Sequence, residues 1–426
     1  MNERGGEPLF QRFELGPGLR LLVHPTQKLK TVVVKAYLTG DLGDAVTRRA
    51  LVPMLLRRGT RNYFDMQAIQ RHLDALYGAS VVADVMKVGE WHSLKFRLET
   101  VNGAFLPGQT DVYEKSLQFL EEMMFAPRLE GGRFVDDFFE QEKHNLERVI
   151  ESVVDNKSRY ALERLIQHMA ADEPYKLYEY GRREDLPGID TAGATEEWAH
   201  CIHRLPLDIY VAGDVDVDET RDLVSSVFSG ARNGDLRPAP PPEPRPVGEP
   251  RMIEERLDVN QGKLCLGFRH NHTYARGDLE AATIMNGVLG AFSHSKLFQN
   301  VREKASLAYD AYSSLERVKG FLFISCGIAV ENFDRARSIC LDQIKALQRG
   351  EISEVELVST RESFDNHVTM LEDNYASLMD VDYTWSLNGR TFNLNDYRQR
   401  LRSVTPERIV EAAQGLHLDT VYFLRD

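Results

Sequence analysis

The chain of 426 residues is too long for one ordinary hydrophobic core, so two or more domains are expected. Its hydrophobic content of 42% and charged content of 27% are typical of a globular protein, while a formal net charge of -13 argues against a nucleic-acid-binding surface. The N-terminal sequence lacks an apolar core of signal-peptide length, and no run approaches the roughly 20 apolar residues of a membrane-spanning helix.

The first half of the chain predicts a mixture of strands and amphipathic helices. Strand-like patterns are found over residues 19–23, 31–38, 80–85, 93–99 and 208–214. Helical patterns, with apolar residues three and four apart, are found over residues 46–57, 64–76, 112–124, 134–155, 157–169 and 218–228.

A proline-rich segment separates the two halves. Seven of the fourteen residues 237–250 are proline, which removes backbone donors and favours an extended linker. We therefore predict a domain over residues 1–232, a linker over residues 233–250 and a second domain over residues 251–426.

After the linker the order of elements repeats. Strands are predicted over residues 252–257, 263–268, 307–313, 321–328 and 419–426. Helices are predicted over residues 278–289, 296–304, 333–347, 353–373 and 374–385. The repeated order indicates an internal duplication of an α+β domain, in which helices pack on one side of an antiparallel sheet.

The stretch over residues 49–60, RALVPMLLRRGT, follows an extended apolar segment and ends on Gly-Thr. It resembles the zinc-binding helix of the pitrilysin/insulinase zinc metallopeptidases, which reads His-x-x-Glu-His a few residues before Gly-Thr. That motif works because residues four apart share a helix face, so two imidazoles reach one zinc while the glutamate activates water. The corresponding residues here are Ala50, Pro53 and Met54, and none of them can bind a metal or accept a proton from water.

The resemblance implies a third zinc ligand, a glutamate on a later helix. The positions here that could match it are Glu142, Glu147 and Glu151. A lone carboxylate would not retain zinc, so we expect this chain to hold no metal.

Residues 286–309, NGVLGAFSHSKLFQNVREKASLAY, are similar to the second signature of the same family. The resemblance implies that Arg302 and Tyr309 project into a proteolytic chamber, bind the peptide substrate and help to stabilise the tetrahedral intermediate. A guanidinium and a phenol are both donors suited to a peptide carbonyl or a developing oxyanion. The alternative is that Arg302 pairs with a nearby carboxylate and Tyr309 half-packs in a sheet.

The resemblance extends over nearly the whole chain, including GLRLLV at residues 18–23, RGT at 58–60 and YVAGDVD at 210–216. The length is similar to that of the processing-peptidase-like branch, whose members are single two-domain chains that dimerise. In that branch one subunit supplies the zinc motif and the other supplies the Arg/Tyr pair.

The resemblance therefore implies an inactive, non-catalytic subunit of a heterodimeric zinc metalloendopeptidase. Zinc is expected in a homologous partner subunit that carries the His-x-x-Glu-His motif, and a peptide is the expected substrate. This chain alone is not expected to carry out zinc catalysis, and neither nucleic acid nor membrane is expected as a partner. The alternative is a pseudoenzyme that acts as a scaffold or peptide-binding module, with no part in proteolysis.

Two further clusters contain residues that can bind metals. His200-x-x-His203 flanks Cys201, and His270-x-His272 ends a predicted strand. Neither pair has a clear third ligand nearby in the sequence, and surface or packing histidines account for most such pairs. The four cysteines are sparse and lack C-x-x-C spacing, which predicts small buried thiols in a reduced, cytoplasmic protein.

Overall fold

A computed structural model of the protein describes residues 8–108, 111–230 and 248–426. Most of the predicted linker over residues 233–250 lies outside these residues, and the two domain boundaries at 232 and 251 stay predictions.

The first half builds a six-stranded sheet covered by helices. Its strands are β1 (Gln11–Gly16), β2 (Leu19–Pro25), β3 (Thr31–Asp41), β4 (Ser80–Val88), β5 (Trp91–Val101) and β8 (Leu207–Gly213), with a separate short hairpin of β6 (Leu129–Glu130) and β7 (Arg133–Phe134). Its helices are α1 (Val46–Leu56), α2 (Met66–Ala75), α3 (Val112–Phe125), α4 (Asp136–Glu151), α5 (Lys157–Met169), α6 (Thr191–Arg204) and α7 (Val217–Val227). The strand order is β1-β2-β8-β3-β5-β4, and only the β2–β8 pair is parallel.

The second half builds a five-stranded sheet in the same way. Its strands are β9 (Arg251–Arg256), β10 (Gly262–Arg269), β11 (Ala308–Glu316), β12 (Phe321–Ile328) and β13 (His417–Arg425). Its helices are α8 (Leu279–Asn286), α9 (Phe333–Gln348), α10 (Glu354–Asp373), α11 (Tyr375–Leu387), α12 (Leu394–Arg402) and α13 (Pro406–Gln414). The order β9-β13-β10-β12-β11 repeats β2-β8-β3-β5-β4, and the parallel β9–β13 pair repeats β2–β8.

The central strands of each sheet are buried on both faces because the halves exchange a helix. One face of the first sheet packs on helices of its own half, and the other receives α11, whose Tyr383 ring stacks on Tyr37 of β3 at a centroid distance of 3.9 Å. Conversely, α5 of the first half packs Leu165 and Met169 against the second sheet, around Phe321. The predicted helices on one side of each sheet are therefore present, and the other half covers the second side.

The predicted elements are mostly confirmed, and some match to the residue, as α5 and β12 do. Sequence patterns missed β1, α6, α12 and α13. A helix is predicted over residues 134–155, and the α-helix in the structure ends at Glu151. The predicted helix over residues 278–289 ends at Asn286 and continues as a π-helical turn. Across the ranges that the structure describes, no helix has the length and apolarity needed to cross a membrane.

Candidate functional site

The helix that resembles a zinc-binding helix is α1, and most of it is core. Ala50 is 1% exposed within the hydrophobic core of the first half, and Pro53 is also buried. Pro53 lies in the third turn, where it cannot donate to the carbonyl of Arg49, yet the helix continues to Leu56. Of the three residues at the positions of the zinc motif, the half-buried Met54 is the one that borders the cavity described next.

A cavity of about 480 Å³ lies between the end of α1, the start of α2 and one face of α4. Its lining residues are Met54, Arg57, Arg58, Met66, Glu142, Asn145, Arg148, Val149 and Ser152. We call it the remnant pocket, because it lies where the zinc of an active relative would be expected.

The donors at the remnant pocket do not fit zinc. Of the three predicted third-ligand positions, only Glu142 lines the cavity, and its Oε1 lies 3.2 Å from Nη1 of Arg58. Glu147 and Glu151 instead form ion pairs with Arg183. One paired carboxylate beside a thioether and arginines is the wrong donor set for a divalent cation that prefers imidazole, thiolate and free carboxylate.

Arg302 and Tyr309 lie on either side of a sharp backbone turn at Ser306, whose φ is +53°. The Arg302 guanidinium lies 4.5 Å from the centre of the Phe298 ring, and its Nε is 3.6 Å from Glu303 Oε1. Both partners of this ion pair are about half exposed, so it holds the arginine weakly. Tyr309 is 82% exposed at an irregularity at the start of β11. Its ring therefore does not half-pack in the sheet, and both side chains are accessible to a ligand.

The segment before Arg302 has an unusual backbone. π-Helical turns form over Gly287–Ala291 and Phe298–Lys304, and such turns are frequent at functional sites. The first turn packs closely on β11, since a Cβ added at Gly290 would lie 2.6 Å from the backbone nitrogen of Ser313. The small residues of the second signature thus fix the position of the strand that begins with Tyr309.

A second cavity adjoins the remnant pocket. It has a volume of about 730 Å³, and Ser152 borders both cavities. Its other lining residues come from the start of α5 and from the β9–β10 connection, ending at Lys263. Lys263 Nζ lies 3.7 Å from Asp310 Oδ1, next to Tyr309 in the sequence. The adjoining cavities therefore extend from Met54 to Lys263, which pairs with a residue of β11, an arrangement that no sequence pattern indicated.

The structure also brings together Glu197, His200 and Cys201, which could ligate a metal by spacing alone. The sequence analysis missed Glu197 as a possible third ligand. Its carboxylate lies 2.9 Å from Arg49 Nε and 3.4 Å from Arg48 Nε, so two guanidinium groups already compensate its charge. Burial raises the pKa of the Cys201 thiol well above its usual range. A protonated thiol beside an arginine-bound carboxylate does not favour metal binding.

All four cysteines are buried and unbridged, as predicted from their spacing.

Comparison with known proteins identifies the family. The chain is 38% identical over 420 residues to a probable inactive metalloprotease, YmfF of Bacillus subtilis strain 168, with 96% of each chain covered. The chain belongs to the M16 peptidase family. Within it, residues 200–364 match the family model described as the peptidase M16 inactive domain.

Solved structures place the M16 fold over almost the entire chain. A conserved protein from Enterococcus faecalis V583 has a TM-score of 0.91 and 29% identity, with 98% of each chain covered. A peptidase M16 inactive domain from Pseudomonas fluorescens has a TM-score of 0.83 and 16% identity, again with 98% coverage of both chains, and shows the fold alone. The pitrilysin-type family and the two-part α+β fold predicted from residues 49–60 and 286–309 are thereby confirmed.

Proposed function

We propose that this M16 homologue is the non-catalytic subunit of a heterodimeric zinc metalloendopeptidase in the cytoplasm. A homologous partner with an intact His-x-x-Glu-His helix holds the zinc, and this chain supplies Arg302 and Tyr309 to the peptide chamber. The observation that carries the proposal is the 82% exposure of Tyr309, together with the accessibility of Arg302, which only a weak ion pair holds.

An accessible arginine on a π-helical turn and an exposed tyrosine at the start of the following strand match the needs of peptide hydrolysis. A phenolic hydroxyl and a guanidinium can donate to the scissile carbonyl and to the oxyanion that develops from it. The remnant pocket lacks a zinc site to activate water, because Met54 offers only a thioether and Glu142 is paired with Arg58. Arg302 and Tyr309 can therefore take part in hydrolysis only when a second chain provides the water-activating site.

The first test uses Arg302→Ala in this chain, co-expressed with a homologous subunit that carries the zinc motif. Cleavage of an unstructured peptide is expected to require both subunits, and Arg302→Ala is expected to raise KM because the guanidinium binds the substrate. Arg337→Ala is the matched control, since Arg337 also stacks on a phenylalanine ring, at 5.2 Å from Phe333, and pairs with the exposed Asp334. Strong cleavage by this chain alone that survives Arg302→Ala would contradict the proposal.

The second test removes one hydroxyl group. Tyr309→Phe is expected to reduce kcat of the two-chain enzyme about 100-fold, the effect of losing one oxyanion donor. Tyr77→Phe changes a tyrosine that is 51% exposed elsewhere and is expected to leave kcat unchanged. If both Tyr309→Phe and Arg302→Ala leave cleavage intact, the scaffold alternative is favoured instead.

A further inference from the structure

The side chains that line the remnant pocket are mainly positive, whereas the ligands of a metal site are neutral or negative. Three guanidinium groups border it, from Arg57, Arg58 and Arg148, against the single carboxylate of Glu142. That carboxylate is already paired with Arg58 at 3.2 Å. Within residues 8–108, 111–230 and 248–426, neither Arg57 nor Arg148 forms an ion pair; both are exposed at the rim of the cavity, and Arg148 donates a hydrogen bond to Asn145 Oδ1.

Arg58 is held in place and retains an unused donor. Its guanidinium lies 4.9 Å from the centre of the Phe138 ring, donates a hydrogen bond to Gln141 and forms the ion pair with Glu142. Its Nε is buried and has no hydrogen-bond partner among the described residues. A buried N–H without a partner costs free energy, so a residue that lines the pocket keeps one unsatisfied donor.

The other walls favour a short acidic group. Met54, Met66 and Val149 are apolar, and an ion pair is stronger beside apolar surface than in water. Methionine side chains adapt to the shape of a ligand. The Asn145 amide, which donates to Glu142 and accepts from Arg148, fixes the position of both charged groups at the cavity. Arginine pairs with carboxylates through two parallel hydrogen bonds, which makes a carboxylate the matching ligand.

Helix ends alone do not account for this arrangement. Arg57 and Arg58 follow the last turn of α1, and Arg148 lies in the last turn of α4, where helix dipoles favour positive charge. The dipoles explain each arginine separately, but they do not explain why both helix ends direct basic residues to one cavity in a chain with a net charge of -13.

We propose that the remnant pocket binds a carboxylate of a peptide, either an Asp or Glu side chain or the C-terminal carboxylate, and so anchors acidic peptides beside the chamber. That the ligand is a peptide rests on the proposed function, whereas the preference for a carboxylate rests on the pocket itself. Ser152 borders both the pocket and the second cavity, which ends at Lys263 beside Asp310 of β11, so an anchored peptide can extend from one cavity into the next.

The experiment measures binding of fluorescent unstructured peptides to the full chain alone, by anisotropy at low ionic strength. One peptide carries an internal Glu pair and an amidated C-terminus, the second has Gln in place of Glu, and the third has Gln with a free C-terminus. At least one of the two peptides with a carboxylate is expected to bind about tenfold more tightly than the peptide with none, and which one identifies the source of the carboxylate. Added salt is expected to reduce this preference.

The Arg57→Gln/Arg148→Gln variant is expected to lose the preference. The control variant, Arg71→Gln/Arg335→Gln, removes the same charge at two exposed arginines outside the pocket and is expected to retain it. Equal binding of all three peptides overturns the inference, as does a preference that persists in Arg57→Gln/Arg148→Gln. Because no partner is present, a negative result here leaves the cleavage tests of Arg302 and Tyr309 unaffected.

Discussion

At the scale of single residues, the lost metal site illustrates how a buried position changes its role. Ala50 now fills the core, and Pro53 occupies a helical turn without a backbone donor. Met54 occupies the position of a zinc ligand in the motif and forms an apolar wall of the remnant pocket. Restoring histidine at one of these positions would not restore zinc binding, because Arg58 already neutralises Glu142.

His92 provides a pH-dependent test at the same scale. Burial, aided by the charge of Arg49, lowers the pKa of its imidazole to about 3, whereas an unfolded histidine titrates near 6.5. Between these values only the unfolded chain binds the proton, so acidification favours unfolding. We expect His92 to lower the free energy of unfolding by about 1.4 kcal/mol per pH unit between about pH 6 and pH 4.

Urea unfolding of the wild type and of His92→Leu across this range measures the effect. The free energy of unfolding of the variant is expected to fall less steeply on acidification, because the variant takes up one proton fewer when it unfolds. Parallel curves for the two proteins would show that His92 is not buried in its neutral form.

At the scale of elements, the π-helical turn and β11 form one unit that sets the position of Tyr309. The turn can approach the strand because Gly290 has no side chain, and Ser313 Oγ donates a hydrogen bond to Asn286 Oδ1 at 2.7 Å. The sequence shows small residues at this turn, but a glycine in a sequence pattern does not identify the residue that packs against it.

Gly290→Ala tests this unit. The new methyl group would lie 2.6 Å from the Ser313 backbone nitrogen, so the turn or the strand must move. We expect a loss of about 1–3 kcal/mol in the free energy of unfolding, the usual cost of overpacking. Gly43→Ala is the control, since nothing lies within 4 Å of its added Cβ, and a change within about 0.5 kcal/mol is expected. Equal stability of the two variants in guanidinium titrations would show that the contact is loose.

At the scale of the whole molecule, the halves are joined by exchanged helices and by a buried ionic cluster. Lys319, in the turn between β11 and β12, pairs with Glu90 in the equivalent turn between β4 and β5. It also lies 2.6 Å from Glu173, which follows α5 and pairs with Arg269 at 3.1 Å. The β4–β5 hairpin of the first half and the β11–β12 hairpin of the second half therefore meet at one ionic cluster.

Lys319→Met is expected to destabilise the molecule by about 3–5 kcal/mol, because it removes the counter-charge of Glu90 and leaves Glu173 paired with Arg269 alone. Lys345→Met removes a lysine that is 61% exposed and is expected to change stability by less than about 0.5 kcal/mol. Burial by itself raises the pKa of Glu173. Its bonds to Lys319 and Arg269 lower that pKa by more than burial raises it, so the net pKa lies below the usual range. The stability contributed by these bonds is present above the unfolded pKa and lost on acidification, so the cost of Lys319→Met should shrink as pH falls.

Thermal and urea unfolding of both variants near neutral and at acidic pH measures these differences. Equal stability of Lys319→Met and Lys345→Met would show that the cluster does not join the halves.

The sequence by itself determined the elements with strong periodicity, the duplication and the family. Residues 157–169 and 321–328 were predicted to the residue because local apolar spacing is sufficient for a helix or a strand. The loss of the zinc ligands also needed no structure, because ligand chemistry belongs to the residue type, as Ala50 and Met54 illustrate.

Only the tertiary structure decided which distant groups meet. The exchange of α5 and α11, the pairing of Glu142 with Arg58 and the path from Ser152 to Lys263 depend on packing between segments that are far apart in sequence. Local propensity carries no information about such contacts, because they form when sheets and helices bury their apolar faces together.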